Sequence, residues 1–117
     1  MKLSKDNIIN LEDYRVKSKD GYVAKVFTGR DRGKDVREAS KIDEIESEYD
    51  KVMIIIPDKI YSINPSFFEE LFVKVVLKLG KERFLEKFEF TSQGKYNYER
   101  PLAEAIARIL RKETAIG

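Results

Sequence analysis

The stretch from Lys51 to Phe72, KVMIIIPDKIYSINPSFFEELF, constrains the fold more than any other part of the chain. Its uncharged apolar run, Val52 to Ile56, is typical of a strand buried on both faces, and hence of a parallel sheet covered by helices. Asn64 then fits the N-cap of a helix, and Pro65 fits its first position, where the missing N–H costs nothing. Ser66 would stand in the first turn, beside backbone amides that have no partner within the helix. We therefore expect an α/β protein that presents a polar group, or holds an anion, at this helix start.

Apolar spacing and turn residues predict the other elements. In chain order they are a strand at Asn7–Lys17, a hairpin turn at Asp20-Gly21, a returning strand at Tyr22–Phe27, helices at Arg30–Ala39 and Lys41–Tyr49, the strand Val52–Ile56, a helix at Pro65–Leu79, a further helical turn at Lys81–Glu86, a strand at Lys87–Thr91 and a helix at Pro101–Lys112. We expect Thr28 to cap the first helix, the stretch from Ser40 to Asp43 to form a capping box, and Gly80 to end the third helix. This order predicts an α/β sandwich with a mixed sheet of about four strands and helices mainly on one face. We expect one domain over residues 1–117.

Composition excludes several classes of function. The chain has no cysteine and no histidine, so a disulfide framework, a thiolate nucleophile, a zinc–sulfur site and the commonest general base are all absent. Lys and Arg number 23 against 21 Asp and Glu, and a net charge of +2 is low for a dedicated nucleic-acid binder. The first residues lack the apolar core of a signal peptide, and no run is long enough to span a membrane. We expect a cytoplasmic protein without a cofactor or metal.

The order of elements, with a capped helix after the central strand, resembles the STAS domain of sulphate transporters and anti-sigma-factor antagonists. More closely, the chain resembles the STAS-like family of unknown function found in bacteria and archaea. The resemblance lies in FTGRDRGKDV at Phe27–Val36, in Val52–Phe72, in KLGKERF and in KFEF. It covers most of the chain after about Tyr22, and SINPSFF is its most distinctive part.

In the antagonists this turn carries an acidic residue followed by two small hydroxyl residues, one of which a partner kinase phosphorylates. Aligned on Ile63, this chain has Asn64 at the acidic position and Pro65 at the usual phosphoacceptor position, and Ser66 matches the second hydroxyl residue. The resemblance implies a regulatory protein-interaction module without catalytic activity, which works with an ATP-binding, kinase-like or signalling partner. We predict that the partner-binding or modification site comprises Asp58, Lys59, Tyr61, Ser62, Asn64, Pro65 and Ser66.

An alternative function is the binding of nucleic acid or a nucleotide through basic residues near the first helix start, namely Arg30, Arg32, Lys34 and Arg37. An enzyme that relies on carboxylates has less support, since Asp58 has no obvious carboxylate partner in the sequence. The acidic run of Asp43, Glu44, Glu46, Glu48 and Asp50 is typical of a solvated helix face. The helix after Pro65 has a wider apolar stripe than one sheet face requires, so either neighbouring helices cover it or it forms a partner or homodimer surface.

Overall fold

The computed structural model describes residues 7–15, 25–27 and 29–116, with side chains up to Lys112. Its elements are β1 (Ile8–Asn10), a 3-10 helix (Leu11–Tyr14), β2 (Val26–Phe27), α1 (Arg30–Ser40), α2 (Ile42–Glu48), β3 (Val52–Ile56), β4 (Ser62–Ile63), α3 (Pro65–Lys87), β5 (Phe88–Ser92) and α4 (Glu99–Ile116). The fold is a compact α/β arrangement of helices and small parallel sheets. In these residue ranges no helix has the length and apolar content needed to cross a membrane.

The strands form two parallel sheets. One has the order β1-β3-β5, and the other pairs β2 with β4. β3 is central, as its apolar run predicts, but its residues alternate between buried and half-buried, so only one of its faces is fully covered. The predicted four-stranded mixed sheet is not found in the described residues, because Phe27 pairs in parallel with Ile63 of β4. The predicted hairpin at Asp20-Gly21 lies outside those residues.

The core forms where α3 packs on the covered face of the sheet. Phe72 contacts the rings of Phe88 and Phe90, with centroid distances of 6.0 and 5.8 Å. Those two residues of β5 lie opposite Val52 and Ile54 of β3. These three phenylalanines therefore join the sheet to α3.

α3 consists of two helical segments that meet at Gly80, as the sequence predicts. Gly80 has φ 79° and ψ 167°, a conformation in which residues other than glycine are strained. Most apolar residues before the kink are buried, and α1 and α4 both pack against the helix. Neighbouring helices thus cover most of the wide apolar stripe, and Leu77 is its exposed large residue, at 43%.

Several predicted boundaries were wrong for local reasons. β1 ends at Asn10, because the Asn10 side chain accepts a hydrogen bond of 3.0 Å from the Glu12 N–H and starts the 3-10 helix. The capping box does not form: Ser40 belongs to α1, Lys41 adopts a left-handed conformation with φ 58°, and α2 begins without a side-chain cap. Thr28 lies outside the described residues.

The first helix begins at Arg30, as predicted, whereas the last helix begins earlier than predicted. Gly29, with φ 90°, occupies the position before α1. α4 begins at Glu99 rather than Pro101, because the Asn97 side chain accepts a hydrogen bond of 3.0 Å from the Glu99 N–H.

Candidate functional site

The start of α3 is capped as the sequence predicts. Asn64 has an extended conformation, and its Oδ1 accepts a hydrogen bond of 2.9 Å from the Ser66 N–H. The same oxygen accepts a bond of 2.8 Å from the Ser66 hydroxyl. Pro65 occupies the first helical position. One amide oxygen therefore fixes both the backbone and the side chain of Ser66.

The predicted site residues lie together on the surface. Asp58, Lys59, Ser62 and Asn64 are exposed, and Pro65 and Ser66 are half-buried. Tyr61 is the most exposed large hydrophobic residue in the described part of the chain, at 72%. We call residues 57–66 the recognition turn. The seven predicted residues lie within nine consecutive positions of the chain, and five of them are exposed.

The recognition turn rests on side chains from distant parts of the chain. Arg15, whose side chain is 7% exposed, donates hydrogen bonds to the Asp58 and Lys59 carbonyl oxygens at 3.2 and 3.3 Å. Gly94 lies so close that a Cβ there would be 2.5 Å from Asp58 Oδ1. Lys59 has a left-handed backbone with φ 57°, and its N–H donates to Asp58 Oδ1 at 2.8 Å. The path of the turn is thus fixed by neighbouring structure as well as by its own residues.

β4 is held on both of its edges. On one edge, the Tyr61 N–H donates to the Lys25 carbonyl at 2.7 Å, and the Asn64 N–H donates to the Phe27 carbonyl at 2.8 Å. On the other edge, the Ile63 N–H donates to the Tyr96 hydroxyl at 3.0 Å, and that hydroxyl lies 3.4 Å from the Ile63 carbonyl oxygen, to which it can donate. The Tyr96 hydroxyl therefore supplies hydrogen-bond partners to the Ile63 N–H and carbonyl, which a neighbouring strand would otherwise supply.

Sequence reasoning missed two residues beside the recognition turn. The Lys25 ammonium lies 4.9 Å from the centroid of the Tyr61 ring and 3.3 Å from its hydroxyl. Val26, which is 44% exposed, lies opposite Ser62 in the β2–β4 register. No local pattern placed Lys25 and Val26 beside the turn. The sequence predicted that β2 pairs with the first strand, whereas it pairs with β4.

The basic residues of the alternative site are largely engaged by the protein itself. Arg30 contacts Glu69 at 3.0 Å, and Arg37 donates to the Glu70 carbonyl at 2.5 Å. Arg32 donates to the Tyr14 carbonyl, and Lys34 is exposed. These contacts join α1 to α3 and to the 3-10 helix.

Two buried carboxylates organise ion pairs between helices. Glu69 is 2% exposed and accepts hydrogen bonds from Arg30 and from Lys112 of α4, the latter at 2.5 Å. Burial alone raises the pKa of Glu69, but the hydrogen bonds and charges of Arg30 and Lys112 outweigh it and bring the pKa below its ordinary value. Arg108 lies 3.9 Å from the second carboxylate oxygen. This group of charges has a structural role at the junction of α1, α3 and α4.

The acidic run is not uniformly solvated, which corrects its interpretation as a solvated face. Glu46 is 2% exposed and pairs with Lys78 at 2.8 Å and Lys87 at 2.7 Å. Burial raises the pKa of Glu46, but the bonds from the two lysines outweigh this and lower it overall. The pKa of Asp43 is raised by burial. Within the described ranges, no three acidic side chains converge as potential metal ligands.

Comparison with known proteins adds no assignment. The chain matched no protein-family model, no curated protein and no solved structure.

Proposed function

We propose that this domain is a non-catalytic regulatory module of the STAS-like type, which binds a protein partner through the recognition turn and the start of α3. The supporting observation is that the turn exposes Tyr61, Ser62 and Asn64 on a backbone that Arg15 and Tyr96 hold in place. A surface fixed before binding loses less conformational entropy when a partner docks. The class of partner is the one that the sequence resemblance implies, an ATP-binding, kinase-like or signalling protein.

Ser66 is the residue at which modification would alter this surface. The Ser66 hydroxyl donates a hydrogen bond to Asn64 Oδ1, so a phosphate on the Ser66 oxygen would replace the donated proton and break this bond. The phosphate would also lie at a helix start that has no acidic residue in its first turn, where negative charge is stabilised. We propose that phosphorylation of Ser66 would change the recognition surface while leaving the core packing intact.

The nucleic-acid alternative receives no comparable support. Three of its four basic side chains, those of Arg30, Arg32 and Arg37, form contacts within the protein. Phosphate binding would have to compete with those contacts.

Affinity capture from native lysate tests the proposal. Wild-type protein is compared with Ser66→Ala, Ser66→Glu and Asn64→Ala, and bound and free protein are mapped for phosphorylation. Ser47→Ala serves as the matched control, since Ser47 is an exposed helical serine on α2. We expect at least one partner protein whose recovery changes with the Ser66 or Asn64 variants and not with the control. Equal recovery by all variants would refute binding through the turn.

A further inference from the structure

A groove lies between the second segment of α3, the start of α4 and β5, and no residue of the recognition turn lines it. Its volume is about 340 Å³. Leu102 and Ile106 of α4, which are 4% and 3% exposed, line it beside the half-buried rings of Phe90 and Tyr98. The two rings stack with their centroids 5.3 Å apart. The groove is therefore mainly apolar, and its aromatic residues are fixed by packing on each other.

The groove also carries exposed apolar residues. Leu85 of α3 lines it and is 44% exposed, and Ala103 of α4 lines it and is exposed as well. Exposed apolar side chains that lie together usually mark a contact site. This one surface thus provides both an exposed leucine and a recess that can accept an apolar side chain.

The charged residues that line the groove are one lysine and one glutamate. Lys81 belongs to α3, Glu99 belongs to the start of α4, and both are exposed. Neither forms an ion pair with another residue that the structure describes. A second copy of the chain can pair with both charges if a two-fold axis runs along the groove, because the rotation places α3 of each copy opposite α4 of the other.

We propose that two copies of this chain form a symmetric dimer through the groove. Leu85 of each copy packs into the groove of the other, and Lys81 of each copy pairs with Glu99 of the other. A two-fold interface requires a surface that complements itself, and here the leucine, the recess and both charges belong to the same surface. The inference goes beyond the proposed function, since the groove and the recognition turn share no residue.

Sedimentation equilibrium of the full chain tests the dimer. An interface centred on one groove is small, so we expect a Kd of roughly 1–100 μM. Leu85→Ala should weaken the dimer by about tenfold or more, since both copies lose an apolar anchor. Leu77→Ala is the matched control, because Leu77 is 43% exposed on the first segment of α3 and does not line the groove. A chain that is monomeric up to about 1 mM, or a Leu85→Ala dimer as tight as wild type, would overturn the inference.

Reversal of the two charges tests the two-fold arrangement itself. Lys81→Glu alone, or Glu99→Lys alone, places like charges opposite each other at two points, so each variant should dimerise more weakly than wild type. A mixture of the two variants pairs a lysine with a glutamate at both points, so the heterodimer should be about as tight as the wild-type dimer. An intrachain role for either residue would give no such recovery on mixing.

A second pair of variants controls for the change in net charge. Lys34→Glu and Glu38→Lys reverse exposed residues of α1 that do not line the groove. Each of them, and their mixture, should dimerise like wild type. A mixture of Lys81→Glu and Glu99→Lys that associates no better than its components would refute the arrangement. Urea unfolding should show that every variant is folded, since all the substituted residues are exposed.

The dimer and the proposed function fail separately. Loss of dimerisation in Leu85→Ala, with recovery of the lysate partner unchanged, supports the dimer and leaves the recognition turn as the binding site. If the Asn64 and Ser66 variants recover the lysate partner as wild type does, the proposed function fails, whereas the sedimentation result still decides the dimer.

Discussion

The replacement of Gly33 by alanine tests how closely α1 must approach α3. A Cβ at Gly33 would lie 2.4 Å from the Phe67 carbonyl oxygen and 2.9 Å from Glu70 Cβ. The first contact is with backbone, so a side-chain rotation cannot relieve it, and α1 must move away from α3. Overpacking of this kind costs about 1–3 kcal/mol, and backbone contact favours the upper part of that range.

Helix propensity acts in the opposite direction at the same position. Alanine is better than glycine inside a helix by about 1 kcal/mol, so we expect Gly33→Ala to lower the free energy of unfolding by about 2 kcal/mol net. Equilibrium urea unfolding measures this as a lower midpoint with an unchanged slope.

The neighbouring residue provides the internal standard. Lys34 is exposed on the same turn of α1, so the difference between Lys34→Ala and Lys34→Gly measures helix propensity without a clash. The helix-propensity difference measured at Lys34 is added to the loss of unfolding free energy in Gly33→Ala. The sum is the free-energy cost of the close approach of α1 to α3 alone. A Gly33→Ala protein as stable as wild type would refute the reasoning, because it would mean that the two helices can separate freely.

Three further predictions concern the site and the ion pairs. Asn64→Ala should reduce stability by about 1 kcal/mol through loss of the helix cap, whereas Asn64→Asp should retain the cap; thermal unfolding compares them. Tyr96→Phe removes the acceptor of the buried Ile63 N–H and should cost about 1–3 kcal/mol, and amide exchange at Ile63 should accelerate. Glu69→Gln should cost about 1.5–3 kcal/mol at neutral pH, because charge-assisted bonds from Arg30 and Lys112 are lost. The folded-state pKa of Glu69 is lowered, so its contribution is complete above the unfolded pKa and disappears as the pH falls through the folded value. Urea unfolding at several pH values should therefore show the two proteins converging in acid; a constant difference would contradict this.

Local signals predicted the middle of the chain well. The apolar run of β3, the Asn64-Pro65 helix start and Gly80 each act through their own backbone preferences, and the structure confirms all three. The last helix was also predicted apart from its first two residues, and Glu104 and Arg108 on it form an ion pair at 2.9 Å. These features need little information from distant residues.

The parts that were predicted poorly depend on contacts between distant segments. The parallel pairing of β2 with β4 places Lys25 and Val26 beside the recognition turn, and no local pattern near either residue specifies it. Tyr96 supports Ile63 from a loop, and Glu46 is buried because lysines of α3 reach it. In each case the environment of a residue depends on a segment that is distant in sequence, so local patterns do not reveal it.

The parallel order of the main sheet has a consequence for the kinetics of folding. Asn7, just before β1, donates a hydrogen bond to the Lys51 carbonyl, a separation of 44 positions, and Lys51 bonds to the Glu86 carbonyl, 35 positions further on. Chain segments this far apart must meet before any of the described strands gains a neighbour, and closing such loops is entropically unfavourable. The helices can begin to form from local interactions, whereas the sheet is assembled late. Until then, the strand edges and the apolar residues of β3 remain available to other chains, which makes the interval before sheet closure the stage most vulnerable to aggregation.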